Sequence, residues 1–141
     1  MIDQFKNVIK DASDLVRQQM NAVGNNAKDK AYQLIDEWLN IIPILEEEGL
    51  AMTSFALSVA LSPALDVEFI GKNADFPAER LEILKQKYKG KVPLQLVFTT
   101  IKTTYRMHRK INAPLKDPLV LKIRARLTPE VKVYVGKPVI E

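Results

Sequence analysis

The residues best placed to do chemistry in this chain are cations. Arg124, Arg126 and Lys132 alternate with apolar residues in LVLKIRARLTPEVKVYVG, Leu119 to Gly136, with Lys122, Tyr134 and Lys137 close by. A second cluster, Tyr105-Arg106-Met107-His108-Arg109-Lys110, precedes it. Guanidinium and ammonium groups gathered on one face hold phosphates or carboxylates by charge-assisted hydrogen bonds, and Tyr105 or Tyr134 offers a ring on which a base can stack. Arg106, Arg109, Lys110, Arg124, Arg126, Lys132 and Tyr134 therefore form a candidate anion-binding face. The same residues also have a structural reading. Cations at a helix carboxyl end complement its dipole, and a basic strand can pair with Asp66 and Glu68 on a neighbouring strand.

Other chemistry has less to stand on. The chain has no cysteine, which removes disulfides, thiolate nucleophiles and cysteine-bound metals, and one histidine, which removes multi-histidine metal clusters. No glycine-rich phosphate loop or nucleophile elbow occurs, and His108 has no acid or nucleophile in evident relation to it. The expectation is a non-catalytic protein without a cofactor or metal. Glu46, Glu47 and Glu48 are unusual, because three acids fall at a helix end where the dipole disfavours them. The expected explanation is a solvated helix end; the alternative is a docking point for the basic half or for a divalent cation.

The elements that would carry these residues start with two hairpins of one design. TSFALSVALSPALDVEFIG, Thr53 to Gly71, has apolar residues at every second position around a Ser-Pro step, and Leu119 to Gly136 repeats the pattern around Thr-Pro at a constant offset of 66. Taking Ser62-Pro63-Ala64 as a three-residue loop pairs Leu61 with Leu65, Val59 with Val67 and Leu57 with Phe69. The second copy then pairs Leu127 with Val131, Ala125 with Val133 and Ile123 with Val135. Outward, this register sets Arg126 across from Lys132, a like-charge pair that needs relief.

Helical spacing precedes each hairpin. Phe5, Val8, Ile9, Ala12, Leu15, Val16, Met20 and Val23 form an amphipathic stripe over 2–23, closed by Gly24-Asn25-Asn26. Phe5, Val8, Ile9, Leu15 and Val16 are the candidate interaction residues of this helix, should it meet a partner or a membrane rather than its own core. Ala31, Leu34, Ile35, Trp38, Ile41, Ile42 and Leu45 predict a second helix from Ala27 to about Glu48, with Pro43 kinking it or ending it early. Asp75, Pro77 and Glu79 open a short helix supported by Leu81, Ile83, Leu84 and Tyr88. Leu94, Val97, Phe98, Ile101, Tyr105 and His108 support another to Lys110, although four threonines weaken it. Shifted by 63, Leu34, Ile35, Trp38 and Ile42 fall on Val97, Phe98, Ile101 and Tyr105.

These spacings predict an α+β single domain, residues 1–141, built as two tandem helix-helix-β-hairpin repeats, about 1–72 and 73–141. The hairpins would form a four-stranded antiparallel sheet of pseudo-two-fold design, covered by helices on its apolar face. Charge divides with the repeats: 12 acidic and 6 basic side chains in 1–78, 5 and 15 in 79–141, net +4 overall. The amino terminus lacks a secretory signal and no apolar run is long enough to span a bilayer, so a cytoplasmic location is expected. The expected function is a non-catalytic interaction or scaffold domain that self-associates or binds a protein partner. The alternatives are an apolar-ligand or anionic-lipid module at a membrane surface and, behind it, a nucleic-acid binder using the basic carboxyl half.

Overall fold

The computed structural model describes residues 26–59 and 62–139, so the predicted 2–23 helix, with Phe5, Val8, Ile9, Leu15 and Val16, lies outside the described residues. The described chain runs α1 (Asn26–Glu47), β1 (Ala51–Ser58), β2 (Ala64–Gly71), a 3-10 turn (Asn73–Asp75), α2 (Ala78–Lys87), α3 (Val92–Lys110), β3 (Leu119–Ala125) and β4 (Glu130–Val135). It is an α+β fold with a four-stranded antiparallel sheet in the order β1-β2-β3-β4. No described helix is long and apolar enough to cross a membrane.

One side of the sheet is covered by helices, α1 lying across β1 to β3 and α3 across β4. Alternation along the strands sends Met52, Leu65, Val67, Phe69, Leu119, Leu121, Ile123 and Ala125 into that layer. There they meet Ile35, Trp38, Ile42 and Leu45 of α1 and Leu94, Val97, Phe98, Ile101 and Tyr105 of α3 in one contiguous core. Within α3, Thr100 and Thr104 donate their hydroxyls to the carbonyls of Leu96 and Thr100, which satisfies these groups inside the helix. Ile83, expected to support α2 from the apolar side, is instead 64% exposed. Helix α1 runs through Pro43 rather than stopping there, because buried Leu45 and the cap at Gly49 hold its last turn.

The hairpin register differs from expectation by four residues. Leu57 pairs with Leu65, Phe55 with Val67 and Met52 with Phe69; in the second hairpin Ile123 pairs with Val131, Leu121 with Val133 and Leu119 with Val135. Pro63 is buried instead of standing at an exposed tip, and each proline falls just before the first residue of a return strand, Ala64 or Glu130. Proline has no N–H for the ladder, so pairing begins after it. The slip is even, which keeps Phe55, Leu57, Leu121 and Ile123 facing inward, but it moves Val59 and Leu127, both expected on the inner side, out of the ladder, where they are 42% and 58% exposed.

Strand direction overturns the pseudo-two-fold arrangement. In an antiparallel β1-β2-β3-β4 sheet, β3 runs as β1 does and β4 as β2 does, so the second hairpin follows the first by a shift of two strands. The α2–α3 pair causes this by returning the chain to the end from which β1 sets out.

The carboxyl end of α1 resolves the three glutamates. Gly49 adopts φ +112° and closes the helix, with Leu50 N–H donating to Leu45 O (3.1 Å) and Gly49 N–H to Glu46 O (3.2 Å). Glu48, expected to be solvated, is only 11% exposed and docks on the basic half. Its carboxylate accepts from Tyr88 OH (2.5 Å), Lys87 Nζ (2.9 Å) and Arg80 Nη2 (3.4 Å), while Arg80 also donates to Glu48 O (2.6 Å) and Asp75 O (2.7 Å). The guanidinium thus neutralises the acid and caps the helix dipole together, stacked 4.8 Å over the Phe76 ring. Burial pushes the Glu48 carboxyl up, but the Tyr88 hydroxyl, Lys87 and Arg80 outweigh it and hold it below the usual carboxylate range.

A carboxyl depressed in the folded state stabilises above its unfolded pKa, about 4.3, and that contribution disappears as pH falls through the folded value. Glu48→Gln should therefore cost about 1–3 kcal/mol at pH 7. The gap between variant and native chain in urea titrations should narrow steadily below pH 4.

Candidate interaction surface

The outer side of the sheet carries the residues on which the sequence reading centred. Row by row, Ala56, Asp66, Arg124 and Glu130 are neighbours across the strands, then Ser54, Glu68, Lys122 and Lys132, then Ile70, Val120 and Tyr134. Arg124 Nε donates to Asp66 Oδ1 at 2.8 Å and pairs across β3–β4 with Glu130. Lys122 lies 3.7 Å from Glu68 and 5.2 Å over the Tyr134 ring. Lys132 reaches Glu130 at 3.3 Å. Three acids and three bases thus interleave on this face.

The expected Arg126–Lys132 opposition is not formed, because the register shift leaves Arg126 in the β3–β4 loop, its Nε on Thr128 O (3.4 Å). The like-charge pair is Lys122 with Lys132 instead, relieved by Glu68, Glu130 and the Tyr134 ring. Asp66 holds the Arg124 guanidinium above its ordinary pKa through the hydrogen bond and then through its charge.

Arg106, Arg109 and Lys110 occupy the last turns of α3, exposed and without an acidic partner among the described residues. Because α3 packs on the inner side of the sheet, these three are not brought together with Arg124, Lys132 and Tyr134, which point outward. They belong to the helix cap. Asn112 at φ +55° ends α3 as Gly49 ends α1, and Ala113 N–H donates to His108 O at 3.0 Å. His108 is half-buried with Nδ1 unpartnered.

A group that sequence reasoning passed over is Asn73, a buried polar residue between β2 and α2. Its side-chain amide donates to Lys116 O (2.8 Å) and Asp117 Oδ1 (3.0 Å), its backbone N–H donates to the same Oδ1 (2.9 Å), and it accepts from Tyr105 OH (2.8 Å). Burial, and then the Asp117 charge, push the Tyr105 phenol upward. The knot ties α3 to the entry of β3, a fully satisfied structural network. Among the described residues no group of histidine, aspartate or glutamate is arranged to hold a metal ion.

The two edges of the sheet differ. β4 presents Glu130 and Lys132, whereas β1, AMTSFALS, has eight residues with no charge and no proline. Its outward positions Ser54, Ala56 and Ser58 are small and exposed, and its inward Phe55 and Leu57 are only half-buried at the rim of the core. One bulge, at Thr53, breaks the ladder, where Thr53 Oγ1 donates to Glu68 Oε1 at 2.9 Å.

The two basic groups separate on a heparin column. Arg109→Gln with Lys110→Gln should lower the eluting salt concentration, since each free cation contributes to counter-ion release. Arg124→Gln with Asp66→Asn should leave it unchanged. No family model, curated protein or solved structure matches this chain.

Proposed function

We propose that this protein is a non-catalytic interaction domain that associates with a second copy of itself through β1. The observation that carries the reading is the uncharged, proline-free edge of Ala51–Ser58. Edge strands are normally blunted by lysine, proline or inward charge, because their unpaired N–H and C=O groups template pairing with another chain. β4 is blunted in that way and β1, apart from its bulge, is not. An antiparallel β1–β1 pair is self-complementary and closes by a two-fold axis. It sets small outward side chains against small ones and extends the cover over Phe55 and Leu57.

Two further observations favour a protein partner over the other classes. The inner side of the sheet is already filled, with Leu65, Phe69, Leu119 and Leu121 fully buried, so the apolar surface a lipid would use is occupied. The outer face balances its own charges, which removes the excess a nucleic acid would seek. A duplicated helix-helix-hairpin plan belongs to the same reading. It is supported by helix ends 63 apart, Gly49 and Asn112, and by hairpin registers 66 apart.

Light scattering over a concentration series tests this. The native chain should approach twice its monomer mass, and Ala56→Lys should stay monomeric: Asp66 faces position 56 and accommodates an ammonium in the monomer, whereas a β1–β1 pair would bring two of them together. A native chain that remains monomeric at millimolar concentration, or an Ala56→Lys chain that dimerises as well as the native one, would contradict the proposal.

A further inference from the structure

The carboxyl end of α3 and the turn after it carry cations and no acid. Residues 106–116 read RMHRKINAPLK, and Arg106, Arg109, Lys110 and Lys116 are all exposed. The next acid along the chain, Asp117, is already engaged, its Oδ1 accepting from the backbone N–H and the side-chain amide of Asn73.

Large apolar residues stand among these cations. Met107, Ile111 and Leu115 are 60%, 72% and 50% exposed. Met107 is two residues from buried Tyr105, about 200° around the helix, so it points away from the core, and Ile111 follows one turn later on the same side. Asn112, at φ +55°, and the bond from Ala113 N–H to His108 O then turn the chain, and the Lys116 carbonyl is fixed by the Asn73 amide at 2.8 Å. The fold thus holds the backbone and leaves the side chains in solvent. A single exposed apolar residue is ordinary, but three interleaved with cations mark an interaction surface.

Their chemistry selects the partner. A protein interface gathers its apolar residues in a core depleted of lysine, whereas here cations and aliphatic side chains alternate along the chain. A nucleic acid rewards rings that stack on bases, and 106–116 has no phenylalanine, tyrosine or tryptophan. An anionic bilayer uses both kinds of residue present: its headgroups attract the cations, and its acyl boundary takes the aliphatic ends. It needs no cavity, so the filled core is no obstacle.

We infer that the Arg106–Lys116 segment docks the protein on an anionic membrane surface, its four cations on lipid headgroups and Met107, Ile111 and Leu115 inserted between them. Helix α3 lies across β4, at the opposite edge of the sheet from β1, so a β1–β1 pair leaves this segment free.

Co-sedimentation of the full chain with phosphatidylcholine vesicles, with and without phosphatidylserine, tests this. The native chain should bind only the vesicles that contain phosphatidylserine, and rising salt should release it. Arg109→Gln with Lys110→Gln should weaken partitioning about 30-fold, at about 1 kcal/mol for each cation near the surface. Met107→Ser with Ile111→Ser should weaken it about tenfold while leaving elution from heparin unchanged. Leu115→Ser, outside the helix, should act in the same direction. These side chains lie in solvent, so an unchanged unfolding midpoint is expected of every variant. Absence of binding to phosphatidylserine vesicles at low salt, equal binding to phosphatidylcholine alone, or serine variants that bind as well as the native chain would overturn the inference. The last result would assign the cations to a soluble polyanion such as a nucleic acid.

Discussion

The fold turns on one half-buried carboxylate. Glu48 stands where α1 ends, where the dipole is least favourable to an acid, and it is held there by Arg80 and Lys87 of α2 and by Tyr88 at that helix's end. Arg80 is the decisive partner, because its guanidinium reaches the Glu48 side chain, the Glu48 carbonyl and the Asp75 carbonyl at once. The contact fixes the α1 carboxyl end to α2 just before Gly49 and Leu50 turn the chain into β1. Gly71 lies against the same corner, where a Cβ would stand 2.9 Å from Leu50. The path of the edge strand thus depends on an ion pair formed one connection later.

The opposite charges of the two halves find their use in this arrangement. Arg80 and Lys87 meet Glu48, Arg124 meets Asp66 and Lys122 meets Glu68, each time a cation of the second half on an acid of the first. Exposed pairs of this kind contribute little individually. Their effect lies in specificity: they set β3 beside β2 in one register and leave the outer face balanced. What remains unbalanced is the carboxyl end of α3, and what remains unblunted is β1.

Much of the architecture was legible in the sequence because it rests on periodicity. Alternation of Leu65, Val67 and Phe69 identifies strand faces, and the spacing of Leu94, Val97, Phe98, Ile101 and Tyr105 identifies a buried helix side despite its threonines. Register was not legible, since an even slip satisfies the same alternation, and Pro63 and Pro129, which have no N–H for the ladder, stand just before the return strands rather than at the tips. Because the register was misplaced, Arg126 was set on the face that Arg124 and Lys122 occupy. The roles of Glu48 and Asn73 depend on contacts 32 to 44 residues away, which no local pattern records. The uncharged edge of β1 was present in the letters AMTSFALS all along, but only the strand order turns that stretch into an edge.

The most direct measurement of the central claim is amide hydrogen exchange in β1 as a function of protein concentration. The account predicts that the β1 amides pointing away from β2 gain protection as concentration rises, while those of β4 do not change. Equal exchange in β1 at every concentration, or protection gained by β4 instead, would contradict it.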